Sequence, residues 1–221
     1  MSLITRHWSL VVFDLDGTLV DSRADLTAAV NHVLQSFGLP QLPPEIVAGY
    51  VGDGARALVQ RALGTAHGDR LDDGLLRFLD YYGAHVLDQT RPYLGVPEML
   101  AALAARDVTL AVLSNKPEAL SRTILDGLGL ASRFVAVLGG DSLPARKPDP
   151  AGVDYLRTLT STPIDRVLVV GDSLIDLHTA AAAGVAFCGV TWGFASDALR
   201  AAGCERLIAH PSELLAVVDG S

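Results

Sequence analysis

The chain has 221 residues, of which 50% are apolar and 19% charged, so it is long enough to bury a sizeable core and too apolar to be disordered. Its formal net charge is -8, and it has no cluster of Lys and Arg of the kind that follows a phosphate backbone. This balance argues against a nucleic-acid partner. It also gives no long-range attraction for an anion, so an anionic substrate would have to be captured by local cations or a metal.

The segment 1–9 leads directly into the first predicted strand, which indicates that no signal peptide is present. The most apolar later stretch, residues 180–190, is short and contains glycine, so we expect no membrane span. Cys188 and Cys204 do not form a Cys-x-x-Cys pair, and we interpret both as free thiols in a reducing compartment. The six histidines are scattered, with no pair at metal-ligand spacing.

Two aspartates follow the first predicted strand. Residues 10–13 are apolar without polar alternation, which predicts a strand buried on both faces in a parallel α/β sheet. Asp14 and Asp16 fall where this strand ends, and Ser22 or Asp21 is expected to cap the helix that follows. Ligands of open α/β sheets bind outside the carboxyl ends of the strands, so these acids are candidates for a functional site. A solvated turn would explain an isolated pair of acids equally well.

Apolar residues recur at helical spacing between residues 21 and 90. The predicted helices span 23–37, 43–50, 54–63 and 71–87, and no strand is predicted among them. This pattern predicts an all-α insertion between the first strand and the rest of the chain.

From residue 91 onwards strands and helices alternate. Helices are predicted at 97–105, 117–128, 151–159, 174–183 and 198–202, and strands at 108–113, 134–138, 166–170, 186–190 and 206–209. Such alternation implies βαβ units with right-handed crossovers and a parallel sheet. We therefore predict two domains, which are an α/β core made of residues 1–20 and 91–221 and a helical cap made of residues 21–90.

Polar residues follow three later strands as well. Ser114 comes directly after one strand, Lys147 lies in the loop after the next, and Asp172 and Asp176 lie where a further strand gives way to a helix. Each has a local explanation, as a helix cap, a solvated loop charge, an N-cap or a first-turn acid. Because the sheet topology would bring all four to one edge, their agreement favours a shared site.

Several carboxylates that converge with one lysine are best explained by a hard cation, and Mg²⁺ is usually bound by one or two carboxylates together with substrate phosphate. The cation and Lys147 would offset the repulsion between a carboxylate nucleophile and a phosphate dianion. Asp14 is then able to attack phosphorus in line and form an aspartyl-phosphate. Asp16 is placed to protonate the leaving oxygen and later to deprotonate the hydrolytic water.

These motifs resemble the four ordered motifs of the haloacid dehalogenase superfamily. They are Asp-Leu-Asp-Gly-Thr at 14–18, Ser-Asn at 114–115, Lys-Pro at 147–148 and Gly-Asp-Ser-Leu-Ile-Asp at 171–176. The resemblance covers nearly the whole chain and is closest to the phosphatases that have a helical cap after the first strand. It implies an α/β fold, with a Rossmann-like parallel sheet core and an inserted all-α cap domain.

The resemblance also implies a role for each motif residue. The metal would be Mg²⁺, held by Asp14, Asp172 and the backbone carbonyl of Asp16, with Asp176 at or just behind the metal site. Asp14 would be the nucleophile and Asp16 the acid/base, while the phosphate would be held by Ser114, Asn115 and Lys147. An aspartate at position 16 argues against the dehalogenase branch, whose motif lacks that acid/base.

Finer features resemble the phosphoglycolate phosphatases of this superfamily, in segments 49–55, 91–96, 114–117 and 191–194. Relatives that act on sugar phosphates, pyrophosphate or nucleotides share much of this set, and Leu94 stands where such enzymes more often have proline. A two-carbon phospho-acid needs a cation for its carboxylate, and Arg56 is the candidate. A solvated helix residue is the alternative for Arg56.

The expected substrate is a small phosphorylated metabolite, most favourably 2-phosphoglycolate, and we expect neither a nucleic-acid nor a membrane partner. Closure of the cap, with hinges near Asp21 and Thr90, would exclude water from the site. The alternatives are a phosphatase for sugar phosphates or pyrophosphate, and a phosphomutase or phosphotransferase. A receiver-like signalling domain is the non-enzyme alternative, although it would need neither Asp16 nor a cap. We expect a cytoplasmic monomer or homodimer.

Overall fold

The computed structural model describes residues 8–220. The N-terminal segment on which the signal-peptide prediction rests lies, up to residue 7, outside this range. The strands are β1 (Leu10–Phe13), β2 (Val20–Asp21), β3 (Arg91–Pro92), β4 (Thr109–Leu113), β5 (Ala136–Leu138), β6 (Val167–Gly171), β7 (Ala186–Val190) and β8 (Leu207–Ile208).

The helices are α1 (Arg23–Ser36), α2 (Pro44–Ala48), α3 (Ala55–Leu63), α4 (Leu71–His85), α5 (Val96–Ala104), α6 (Glu118–Gly127), α7 (Ala151–Leu159), α8 (Leu174–Ala183), α9 (Ser196–Ala201) and α10 (Glu213–Asp219). A 3₁₀ segment, Thr65–Arg70, connects α3 to α4.

Six strands form a parallel sheet in the order β5-β4-β1-β6-β7-β8. β1 pairs with β4 on one side and with β6 on the other, so that Val12 is level with Ala111 and Val169. β1 therefore lies at the centre of the sheet, between the two strands that carry the other acidic and hydroxyl motifs. The parallel sheet with alternating helices confirms the predicted α/β class.

Side chains of β1 alternate between two layers of the core. Val11 and Phe13 pack in the layer that also contains α5, α6 and α10, whereas Leu10 and Val12 pack on the opposite face with α7 and α8. β1 is thus buried on both faces, as its continuous apolar sequence predicts. Helices on both sides of the sheet leave the carboxyl ends of the strands as the place for a site.

The helices α1 to α4 form one packed group, in which α4 lies against both α1 and α3. The two chain segments that enter and leave this group pair as a short antiparallel ribbon, with Val20 opposite Pro92 and Asp21 opposite Arg91. Four helices were predicted here and four are present. The division into a core of residues 1–20 and 91–221 and a cap of residues 21–90 remains a prediction.

Two local features were not predicted, and of the two alternative caps predicted for α1, only Asp21 contacts the first amide of the helix. The β2–β3 ribbon and the terminal helix α10 were not predicted, and the indole N–H of Trp8 donates a hydrogen bond to the carbonyl of Val217 in α10. The hydroxyl of Ser22 makes no capping hydrogen bond to α1. Instead Asp21 Oδ1 accepts a hydrogen bond from the Arg23 amide, because the Ser22 hydroxyl is engaged by Asp16.

Within residues 8–220, no helix combines the length and apolar character needed to cross a membrane. Cys188 is buried and Cys204 is partly exposed, and both are free thiols.

Candidate active site

The predicted site residues lie at the carboxyl ends of three adjacent strands. Asp14 follows β1, Ser114 follows β4 and Asp172 follows β6. Since β1 lies between β4 and β6 and all three run parallel, their ends meet at one edge of the sheet. The topology therefore brings together residues that are far apart in the sequence.

Three carboxylates converge at this edge. One oxygen each from Asp14, Asp172 and Asp176 lies within 4.8 Å of the others. Lys147, from the loop after β5, contacts two of these acids, with Nζ 2.8 Å from Asp14 Oδ1 and 2.6 Å from Asp176 Oδ1. Its side chain is only 4% exposed, so the ion pairs are screened from solvent.

Burial disfavours the ionised form of Asp14 and Asp172. It raises the pKa of Asp14 to about 6 against the opposing attraction of Lys147, and Asp176 adds to the increase. Burial, with repulsion from Asp176 and Asp14, raises the pKa of Asp172 to about 8. A cluster of three acids with one lysine lacks positive charge, and buried carboxylate oxygens are the ligands that a hard divalent cation prefers. The residues present therefore fit a Mg²⁺ ion.

The loop 191–195 closes over Asp172. Oδ2 of this acid accepts hydrogen bonds from the amides of Phe194, at 2.6 Å, and Ala195, at 3.3 Å. Oδ1 accepts one from the Thr18 hydroxyl at 3.3 Å, and the indole N–H of Trp192 donates to the Thr18 carbonyl at 3.1 Å. These contacts orient Asp172, and no local sequence pattern could have revealed them.

The Asp16 carboxylate does not belong to the three-acid cluster. Oδ1 accepts a hydrogen bond from the Ser22 hydroxyl at 2.5 Å. The ammonium of Lys116 lies 3.0 Å from Oδ1 and 2.8 Å from Oδ2. Lys116 Nζ also sits 4.6 Å from the ring centroid of Tyr82, a residue of α4, in a cation–π contact. Sequence reasoning missed Lys116 and the contact made by Ser22.

One compositional signal could have pointed to Lys116. The chain has 17 basic residues of the Lys and Arg types, and only Lys116 and Lys147 are lysines. Both are buried, and each is paired with one of the two acids of the first motif. Lysine is rarely buried unless it is paired, so this usage marks both positions.

Ser114 and Asn115 are both buried beside the acids. The Asn115 amide donates to the carbonyl of Gly52, between α2 and α3, and to the carbonyl of Lys147, both at 2.9 Å. It therefore joins the loop after β4 to the loop between α2 and α3 and to the loop that carries Lys147. The predicted contacts of Ser114 and Asn115 with a phosphate remain predictions.

A cavity of about 40 Å³ lies between the acids and the helices α3 and α4. Asp14, Asp16 and Ser114 line it from the edge of the sheet, and apolar side chains, including Leu58 and Phe78, line it from the helices. The loop between α2 and α3 is in close contact with the loop after β4, since a side chain on Gly54, which has a φ of 90°, would meet the Asn115 carbonyl at 3.0 Å.

Arg56 is not brought to this cavity. Its guanidinium pairs with Asp72 at 2.7 Å, and its side chain is 53% exposed. It is absent from the described residues that line the cavity. The structure thus places Arg56 as a solvated residue of the helix α3, which was the alternative considered for it, and its proposed contact with substrate remains a prediction.

Comparisons with known proteins agree with this geometry. Residues 11–190 match the family model described as haloacid dehalogenase-like hydrolase. Phosphoglycolate phosphatases from Neisseria meningitidis and Rhodospirillum rubrum are 40% and 42% identical over 200 and 201 residues, which is 88% and 87% of this chain and 85% and 83% of those proteins. The crystal structure of a predicted phosphoglycolate phosphatase from Haemophilus somnus has 35% sequence identity, with a TM-score of 0.89 over 95% of this chain and 97% of that one.

The family model spans most of the chain, and Asp14, Asp172 and Asp176, which lie together at one edge of the sheet, fall within the matched residues. The chain therefore belongs to the haloacid dehalogenase-like hydrolases.

Proposed function

We propose that this hydrolase is a Mg²⁺-dependent phosphomonoesterase that acts through an aspartyl-phosphate on a small phosphorylated metabolite, most favourably 2-phosphoglycolate. One observation carries this proposal. Asp14 faces the cavity with Lys147 against one carboxylate oxygen, and two further buried acids lie within 4.8 Å. This arrangement combines a nucleophile with the positive charge that a phosphate dianion requires.

The chain's own residues would hold the substrate phosphate. Lys147 has a buried ammonium beside Asp14. Ser114 is also buried and directly follows the adjacent strand β4, so it lies at the same edge of the sheet. Asp14, Asp172 and Asp176 would hold Mg²⁺, whose positive charge neutralises the phosphate oxygens and the acids when it is bound. Thr18, Phe194 and Ala195 orient Asp172 through hydrogen bonds.

In the first step Asp14 forms a bond to phosphorus while the bond between phosphorus and the ester oxygen breaks. Asp16 gives its proton to that oxygen, so the alcohol leaves neutral. In the second step water attacks the aspartyl-phosphate, Asp16 accepts a proton from the water, and inorganic phosphate leaves with Asp14 restored. Ser22 and Lys116 hold the Asp16 carboxyl in place between these transfers.

The substrate assignment is supported by relatives with about 40% identity that are named phosphoglycolate phosphatase. It is also supported by the cavity, which is small and lined on its cap side by apolar residues. A two-carbon substrate suits such a volume better than a nucleotide does. Both cysteines are free thiols, as is typical of a reducing compartment, and we propose that the enzyme acts in the cytoplasm.

The proposal is tested by phosphate release from 2-phosphoglycolate, hexose phosphates, nucleotides and pyrophosphate, with Mg²⁺ and with EDTA. We expect a Mg²⁺-dependent preference for 2-phosphoglycolate in kcat/KM. Asp14→Asn should reduce kcat by at least about 10⁴-fold because it removes the nucleophile. Near-normal turnover by this variant would overturn the mechanism.

Other outcomes separate the alternatives. A preference for sugar phosphates would support the phosphatase mechanism and contradict the assignment of 2-phosphoglycolate as substrate. Phosphoryl transfer to an added sugar, detected as a new phosphate ester, would indicate a mutase or transferase. A long-lived phospho-Asp14 without turnover would indicate a signalling domain.

A further inference from the structure

The proposed hydrolytic steps use the second buried lysine, Lys116, only to hold Asp16. Lys116 is 7% exposed and lines the same cavity as Asp14. Among residues 8–220 it is the cationic side chain in the cavity lining, whereas Arg56 lies outside it. An anionic group at the far end of a bound phosphate ester would meet this ammonium.

The cap contributes a second polar group at the same place. Tyr82 is 1% exposed and also lines the cavity. Within residues 8–220 its O–H has no acceptor, because the nearby Lys116 ammonium can only donate to the hydroxyl oxygen. A buried O–H without an acceptor is costly, so a ligand atom that accepts its hydrogen bond is the natural explanation.

We propose that Lys116 and Tyr82 form the subsite for the carboxylate of the substrate, which makes them the residues that select a phosphorylated short carboxylic acid. This inference rests on the proposed phosphatase function and names the part of the site that recognises its substrate class. The carboxylate would accept one hydrogen bond from the Tyr82 hydroxyl and one from the Lys116 ammonium.

Lys116 is able to take this contact without releasing Asp16 entirely. An ammonium has three donors, and the two oxygens of Asp16 now use part of that capacity. Asp16 also keeps its hydrogen bond from Ser22. The apolar side chains of Leu58 and Phe78 line the same cavity, and a low local dielectric strengthens a charge-assisted contact.

The two residues belong to different parts of the fold. Lys116 lies in the loop after β4, at the edge of the sheet, and Tyr82 lies on α4 in the helical group. A carboxylate bound by both would bridge the two parts. Recognition of the acid and approach of the cap helix to the acids of the core would then be one event.

A matched substrate pair tests the subsite. 2-Phosphoglycolate and ethyl phosphate share the phosphate and two carbons, and only the former has a carboxylate. For the full chain with Mg²⁺, we expect the ratio of their kcat/KM values to fall about 10-fold in Tyr82→Phe and roughly 10²-fold in Lys116→Met. Lys116→Arg keeps the charge and should retain more of the ratio than Lys116→Met.

Equal losses on both substrates would overturn the proposal, because Lys116 would then act on Asp16 alone. A fall of the ratio in Arg56→Ala, with no fall in Tyr82→Phe or Lys116→Met, would overturn it in favour of the cap arginine. Circular dichroism and thermal unfolding of each variant check that the fold is retained. Tyr82→Phe removes one oxygen and keeps the ring.

Calorimetric binding to Asp14→Asn makes the test independent of turnover. The same variant with and without Lys116→Met is titrated with both compounds. A selective loss of 2-phosphoglycolate binding supports the subsite, and equal binding by both proteins overturns it. Failure of the wild-type enzyme to release phosphate would overturn the proposed function, and this result is distinct from either binding outcome.

Discussion

At the scale of single residues, Asp172 shows how little free space the site contains. A side chain on Gly17 would collide with the Asp172 carboxylate, and Gly17 has a φ of 86° that favours glycine. The same carboxylate accepts hydrogen bonds from the backbone amides of Phe194 and Ala195. Its position is thus fixed by backbone approach as much as by side-chain contacts.

We expect Gly17→Ala to displace Asp172 and to raise the Mg²⁺ concentration for half-maximal phosphatase activity by roughly 10- to 100-fold, as is typical when a ligand's support is removed. Gly38→Ala is the matched control. Gly38 has a φ of 69° but no atom within 4 Å of the added carbon. It should cost about 1 kcal/mol of stability without changing the Mg²⁺ dependence. An unchanged Mg²⁺ requirement in Gly17→Ala would contradict this account.

The sequence predicted some residues of the site and missed others for a physical reason. Asp14 and Asp172 could be predicted because each follows an apolar run at a strand end. Ser22 was predicted, as an alternative to Asp21, to cap a helix, and Lys116 was given no part in catalysis. Their contacts with Asp16 depend on how the loop after β4 packs against the start of α1. The spacing of residues along the chain does not predict that packing.

At the scale of elements, Asp25 of α1 ties together the two connections of the helical group. It is 2% exposed, and its carboxylate accepts hydrogen bonds from the amides of Gln89, at 3.0 Å, and Thr90, at 2.8 Å. The Thr90 hydroxyl donates a further bond at 2.7 Å. The start of α1 is thereby fastened to the segment that leads into β3.

Asp25→Asn should lower the free energy of unfolding by about 2 kcal/mol, because a buried amide group cannot accept all of these hydrogen bonds. Urea unfolding of the purified variant measures this change. Asp72→Asn, at a side chain that is 85% exposed, is the control and should change stability by less than about 0.5 kcal/mol. Equal effects of the two substitutions would show that the contacts of Asp25 carry no special stability.

The core elements were predictable because apolar runs and turn residues alternate strongly along the chain. The helix predicted at 151–159 has those bounds in the structure, as does the strand predicted at 186–190. The β2–β3 ribbon was not predictable, because each strand has two residues and its partner is about 70 positions away. The helix α10 was missed because it is short and follows Pro211 without a clear helical period.

At the scale of the whole molecule, the charge of the site couples metal binding to stability. In the metal-free protein, burial and neighbouring acids raise the pKa of Asp172 to about 8 from its ordinary value of 3.8. Between these values the folded state holds a proton that the unfolded state has released. The free energy of unfolding therefore falls as the pH rises through this range.

In EDTA we expect the melting temperature to fall between about pH 6 and pH 8.5, and Mg²⁺ should reduce this fall because it favours the ionised carboxylates. Differential scanning calorimetry of both forms measures the two slopes. Asp172→Asn removes the titrating group and should flatten the slope in EDTA. If the melting temperature of Asp172→Asn in EDTA falls with pH as steeply as that of the wild type, other groups cause the pH dependence.

The restriction of lysine to the site has a consequence for chemical modification of this protein. Burial opposes the charged form of Lys116 and Lys147, but the facing carboxylates prevail and raise the pKa of each above its ordinary value. Both ammonium groups are therefore sheltered and protonated, and neither is a ready nucleophile. Lysine-directed acylating dyes and crosslinkers find no exposed lysine on this protein, so labelling of Lys116 would report that a reagent had entered the cavity that this side chain lines.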